Sequence, residues 1–161
     1  MRRPRAIVTH AALAAAAVLA VPACSSGGDS DSLSKDQFAA KANDLCSKAD
    51  ADRAQLLQQL PPMPSGTTDA ENLQRAAGID RDLIREVDAL VPPESEQDTV
   101  DQLLDAWRQR ANAEDQYAIA VGAMQDPQTL AGFTSSIDQI DATAAPIANE
   151  LGMTECARGG S

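Results

Sequence analysis

Leu33-Ser34-Lys35-Asp36-Gln37-Phe38 carries every element of a helix start. Ser34 is placed to cap the first turn. Gln37, three residues on, can return a hydrogen bond to the cap, which makes a capping box. Leu33 before the cap and Phe38 at the fourth helical position form a hydrophobic staple. Phe38, Ala42, Leu45, Ala49, Leu56 and Leu60 continue at helical spacing, so a first helix is expected over residues 34–60. Pro61-Pro62-Met63-Pro64-Ser65-Gly66 ends it and makes a stiff link.

Three further helices follow on the same grounds. Thr68 and Glu71 form a second capping box, and Leu73, Ala76, Ala77, Leu83, Ile84, Val87 and Leu90 mark the stripe of a helix from Asp69 to Leu90. Pro92-Pro93 stops it. A third helix, residues 96–125, starts after Ser95 with Glu96 and Asp98 in its first turn, where the helix dipole favours acids. Its buried face reads Val100, Leu103, Leu104, Trp107, Ala111, Tyr117, Val121 and Met124. Asp126 caps the fourth, with Pro127 in the preferred first position. Leu130, Phe133, Ile137, Ile140, Ala144, Ile147 and Leu151 form its stripe, Pro146 predicts a kink near Ala142, and Gly152 is the stop. No stretch alternates like a strand. Four amphipathic helices with short links predict an all-α domain over residues 34–156, folded as an antiparallel up-down-up-down four-helix bundle.

What precedes the domain is an address. Arg2, Arg3 and Arg5 form a positive segment, and Ile7 to Val21 is an alanine-rich apolar run too short to span a membrane comfortably. Residues 1–23 therefore read as an export signal. Val21-Pro22-Ala23-Cys24 resembles the lipobox of bacterial lipoproteins. That resemblance implies that Cys24 carries a diacylglycerol thioether and begins the mature chain, anchoring it to the outer face of the cell membrane. Ordinary secretion, with cleavage near the same place, is the alternative. Residues 24–33, rich in Ser, Gly and Asp, suit a flexible tether, and residues 157–161 read as a disordered tail.

Two cysteines remain, Cys46 and Cys156. In an exported protein such a pair predicts a disulfide. The proposed topology agrees, because the end of the fourth helix returns beside the start of the first.

Composition excludes some functions. Without the three signal arginines the chain holds 10 basic and 24 acidic residues, a formal charge of −14. Nucleic-acid phosphates would repel it. Phe38, Trp107, Tyr117 and Phe133 are the only aromatics, so alanine must fill much of the core. The only histidine, His10, lies in the signal, which leaves no partner for a serine or cysteine nucleophile. No Glu-x-x-His pair and no phosphate-cradling glycine loop occurs, and neither a cofactor nor an enzymatic activity is expected.

Two groups of polar residues stand out. Asp80 interrupts the stripe of the second helix, Arg110 and Glu114 lie within that of the third, and Asp141 within that of the fourth. Antiparallel packing would set all four at one height. They either form a polar layer inside the bundle, structural or lining a small pocket, or point to solvent at the stripe's edge, the commoner fate of such residues. Asp98, Asp101 and Asp105 share one helical face, but a rigid face offers too few oxygens for calcium, so they read as a solvated surface.

Phe38-Ala-Ala-Lys-Ala-Asn-Asp-Leu-Cys46, Ala89-Leu-Val-Pro-Pro-Glu94 and Leu151-Gly-Met-Thr-Glu-Cys156, in that order, resemble small exported lipoproteins of actinobacteria. The resemblance implies the helical fold and the disulfide, and transfers no catalytic residue. The expected role is a non-enzymatic interaction or envelope-accessory module with an envelope protein as partner. The alternative is a small-ligand or metal-binding domain that uses the mid-bundle carboxylates.

Overall fold

The computed structural model describes residues 32–157. The signal, Cys24, tether residues 24–31 and the tail from residue 158 lie outside the described residues. Among the described residues the architecture is all-helical and strand-free: α1 (Lys35–Leu57), α2 (Thr67–Asp88), a short 3₁₀ turn (Glu94–Glu96), α3 (Gln97–Gly122) and α4 (Pro127–Glu150).

The helix starts follow local chemistry in two cases and tertiary contacts in a third. At α1 the capping box forms in both directions: the Gln37 amide donates to Ser34 Oγ, and the Ser34 amide donates to Gln37 Oε1 at 3.1 Å. At α4 the Asp126 carboxylate accepts from the amides of Gln128 and Thr129 and from the Thr129 hydroxyl, which hold its pKa below the usual range. The start of α2 differs from expectation. Gly66, not Thr68, is the cap residue, and no side chain caps the helix. Gly66 has φ +82°, in the left-handed region that favours glycine. Its amide donates to Val121 O at the end of α3, so a tertiary bond sets where α2 begins. The nearby Asp69 instead accepts from the Ser65 amide at 2.8 Å. The third helix starts at Gln97, one residue past the expected start, behind the 3₁₀ turn. α4 runs on through Pro146, which cannot supply the usual helical donor to the Ala142 carbonyl.

Each helix packs against the next: α1 on α2, α2 on α3, α3 on α4. α1 and α4 do not form a packed pair along their length. They are joined near one end instead. Cys46 and Cys156 are disulfide-bonded, and the Asn43 side chain donates to Gly152 O and accepts from the Glu155 amide. At that end the Leu33 amide donates to Val91 O, and Lys35 pairs with Glu96.

The core is as lean as the composition requires. Phe38, Val87, Leu103, Leu104, Val121, Leu151 and Met153 are its large fully buried apolar side chains, and alanines such as Ala42, Ala77 and Ala118 fill the rest. Small residues let helices approach closely: a Cβ on Gly122 would lie 3.1 Å from that of Ala70. α4 contributes least. Ala144 and Ala148 are its only buried residues, while Leu130, Phe133, Ile137, Ile140 and Ile147 stay half-buried. The sequence places all of these on one buried face, but among the described residues α1 does not pack along α4.

Candidate functional site: a charged-floored cleft

The gap between α1 and α4 is a cleft of about 440 Å³. Leu57 and Leu60 at the end of α1, Leu73 of α2 and Ile137 of α4 line its walls. Pro61 and Pro62 of the stiff link close one end. The floor is charged: Arg53, Arg110, Glu114 and Asp141 line it, with Asp138 at the rim. A smaller cavity of about 50 Å³ lies toward the disulfide, beside Trp107, Asp50 and Cys156. Arg110 and Asp141 line both cavities, so their ion pair forms the partition between them.

The four polar residues singled out in the sequence meet here. Arg110 joins them. Its Nε donates to Asp141 Oδ1 at 2.7 Å, and its Nη1 lies 2.8 Å from both Asp80 Oδ2 and Glu114 Oε1. Arg110 and Glu114 are only 8% and 7% exposed, so this is an interior layer rather than a solvated edge. One member was missed. Arg53 of α1 pairs with Glu114 Oε1 and lies 3.7 Å from Asp80. The signal was present: Arg53 sits four residues after Ala49 and three before Leu56, a gap in the apolar stripe.

Burial and charge set the protonation of this layer. The Arg110 guanidinium loses solvation, but Glu114, Asp80 and Asp141 outweigh that loss and hold its pKa above the ordinary value. Burial raises the pKa of Asp141 and Asp50 despite the neighbouring arginines. Glu114 is moved furthest, up to about 8, first by burial and then by a hydrogen bond with Asp80 and its charge. Its Oε1 is taken by the two arginines. Its Oε2 is buried and receives no donor from the protein. A proton on Glu114 resolves both problems: it supplies a donor toward Asp80, and it leaves two guanidiniums facing two carboxylates, Asp80 and Asp141.

This has a sign that can be measured. The folded domain keeps a proton on Glu114 that the unfolded chain releases near pH 4.5. The stability this contributes is complete below about pH 4.5 and is lost as pH rises toward 8. Glu114→Gln, which mimics the protonated form, should flatten that dependence. Urea unfolding at pH 5, 7 and 9 should show the variant gaining on the natural protein by roughly 1 kcal/mol or more across the series. A constant difference would place the titration elsewhere, on Asp50 or Asp141.

Other sequence candidates are simpler. Asp98, Asp101 and Asp105 are exposed on α3, and Asp105 pairs with Arg108 at 2.8 Å. Trp107 is half-buried and packs against the core. Among the described residues no three acids, cysteines or histidines are grouped to hold a metal ion, and no helix is long and apolar enough to cross a membrane. No protein-family model matches the chain, and no similar curated protein or solved structure was found.

Proposed function

We propose that this protein is an exported lipoprotein of the actinobacterial type, held to the outer face of the cell membrane through Cys24, whose helical domain captures a small ligand in the cleft between α1 and α4. The observation that supports it most is the cleft itself: half-exposed apolar walls above a buried, hydrogen-bonded charge layer. Small-molecule sites share that composition, mostly apolar with a few convergent polar groups, and typically occupy about 300–1,000 Å³. The arrangement behind the cleft is the antiparallel up-down-up-down bundle. Its support is end-to-end: the start of α1 lies beside the ends of α2 and α4, and the start of α2 beside the end of α3. In this reading the chain is an accessory that holds a molecule at the envelope. A second reading, contact with an envelope protein, draws on Met63 and Met124, which are 76% and 75% exposed on the α1–α2 and α3–α4 links.

Two arms test the proposal. In cells, Cys24→Ala should move the protein out of the membrane fraction; retention there would refute the lipid anchor. In solution, a neutral solvatochromic dye should brighten in the cleft, and Ile137→Trp, which fills one wall, should abolish the gain while the domain still melts cooperatively. Equal brightening in the filled variant would refute the cleft as a binding site, and crosslinking to a protein through Met63 and Met124 would then favour the second reading.

A further inference from the structure

Resting on the cleft as a ligand site, we infer that its occupant is an amphiphilic organic cation, an apolar body bearing an ammonium group that seats on the carboxylate side of the floor at Glu114. Shape argues for the apolar body. Leu57, Leu60, Leu73 and Ile137 remain only half-buried, and among the described residues α1 does not pack along α4. Charge argues for the cation. An anion would need the guanidiniums, but those of Arg110 and Arg53 are already engaged by Asp80, Asp141 and Glu114. It would have to compete with those internal carboxylates for them. A cation evicts nothing but a proton. Glu114 lines the cleft, is 7% exposed, and carries a buried Oε2 to which the protein offers no donor. Either a proton or a ligand cation can complete it. With that site ionised, the cleft-lining charges are Arg53 and Arg110 against Glu114, Asp138 and Asp141, a carboxylate excess. The negative field of the whole domain draws cations toward it over a longer range.

The competition with a proton makes the binding pH-dependent. Glu114 is faced by Arg53 of α1, Asp80 of α2 and Arg110 of its own helix, with Asp50 of α1, Tyr117 of α3, and Asp138 and Asp141 of α4 close to the same layer. The guanidiniums stay charged throughout the neutral range, so the change in charge falls on the carboxyl groups. Seating an ammonium expels the Glu114 proton, and affinity should rise with pH until the site is already ionised.

Chain-matched probes separate the possibilities. Octylamine, octanol and octanoate share one apolar chain, and the amine stays protonated like a lysine, whose pKa is about 10.4. Calorimetry with the whole domain should find the ammonium bound about tenfold or more tightly than the alcohol, as expected of one charge contact in a partly buried site. Octanoate should bind more weakly than the alcohol. Ammonium binding should tighten about tenfold between pH 6.5 and 8.5, and at pH 6.5 it should release a proton to the buffer, seen as a heat that varies with buffer ionisation enthalpy. Glu114→Gln should erase the preference for ammonium over alcohol. Should that variant fail to melt as a folded domain, Asp138→Asn at the exposed rim should still reduce the preference. Equal binding of all three probes, or tightest binding of octanoate, overturns the cationic ligand while leaving the cleft as a site. If no probe binds and the dye also fails, the cleft itself is refuted.

Discussion

Arg110→Met should destabilise the domain by about 3–5 kcal/mol, the usual cost of removing one partner from a buried ion cluster. That is a third or more of the stability of a typical domain. The reason is not the attraction Arg110 contributes in isolation. Its guanidinium contacts Asp80, Glu114 and Asp141, one from each of α2, α3 and α4. Without it, the Asp80 and Asp141 carboxylates and the Glu114 carboxyl group share Arg53 alone. Lysine should not rescue the site, because a point charge cannot satisfy three acceptors as a planar guanidinium does. Two features separate this account from simple loss of packing. The defect should shrink on acidification, as the stranded carboxylates take up protons. Adding Asp80→Asn and Asp141→Asn to Arg110→Met should recover much of the loss, since removing a whole buried cluster is often neutral. Denaturant midpoints within about 0.5 kcal/mol of the natural protein, the range of ordinary surface substitutions, would mean that water reaches the layer and already screens it.

How far these residues could be found without a structure depends on what kind of signal each carries. Ser34 and Asp126 were legible because a cap is a local device: the side chain and the amides it bonds lie within three residues. The polar layer was legible in outline because Asp80, Arg110, Glu114 and Asp141 each interrupt a stripe that is otherwise apolar. Whether they were buried was not, since a residue at a stripe's edge can turn either way, and only the neighbouring helix decides. Arg53 carries a weaker signal, because the apolar spacing of the first stripe runs directly from Ala49 to Leu56, past the position it occupies. Thr68 misled for the opposite reason. Its spacing to Glu71 is a sound local signal, but the Gly66 bond to Val121 fixes the cap two residues earlier, and a tertiary contact outweighs a cap worth about 1 kcal/mol. The cleft was least legible of all. Leu130, Phe133, Ile137 and Ile140 repeat like a buried face, and periodicity reports that a helix has an apolar side, not that another helix covers it.

Breaking the Cys46–Cys156 disulfide should be the other large effect. The bond spans a sequence separation of 110. In the chain-entropy account a loop of that size contributes about 4–5 kcal/mol, and removal of native disulfides commonly costs about 2–5 kcal/mol. A loss near 3 kcal/mol in a domain this size corresponds to a fall in Tm of about 10–15 °C. The Cys46→Ala, Cys156→Ala double variant should show it, and reduction of the natural protein should show the same shift. The position of the bond adds a second consequence. α1 and α4 do not pack along their length, so the disulfide and the Asn43 bonds to Gly152 and Glu155 are what hold the two walls of the cleft at one end. Two mechanisms can then be told apart. If the bond acts through the unfolded chain, the double variant should unfold with a larger denaturant m-value, because its unfolded state is less constrained, and amide protection in α4 should fall no more than elsewhere. If it acts as a local clamp, residues 148–157 should exchange preferentially while the rest stays protected, and Asn43→Ala, with the disulfide intact, should reproduce part of that pattern. Because α1 lacks a packed partner in α4, we expect the second signature on top of the first, with dye affinity in the cleft falling in the double variant. A Tm unchanged by complete reduction would overturn both.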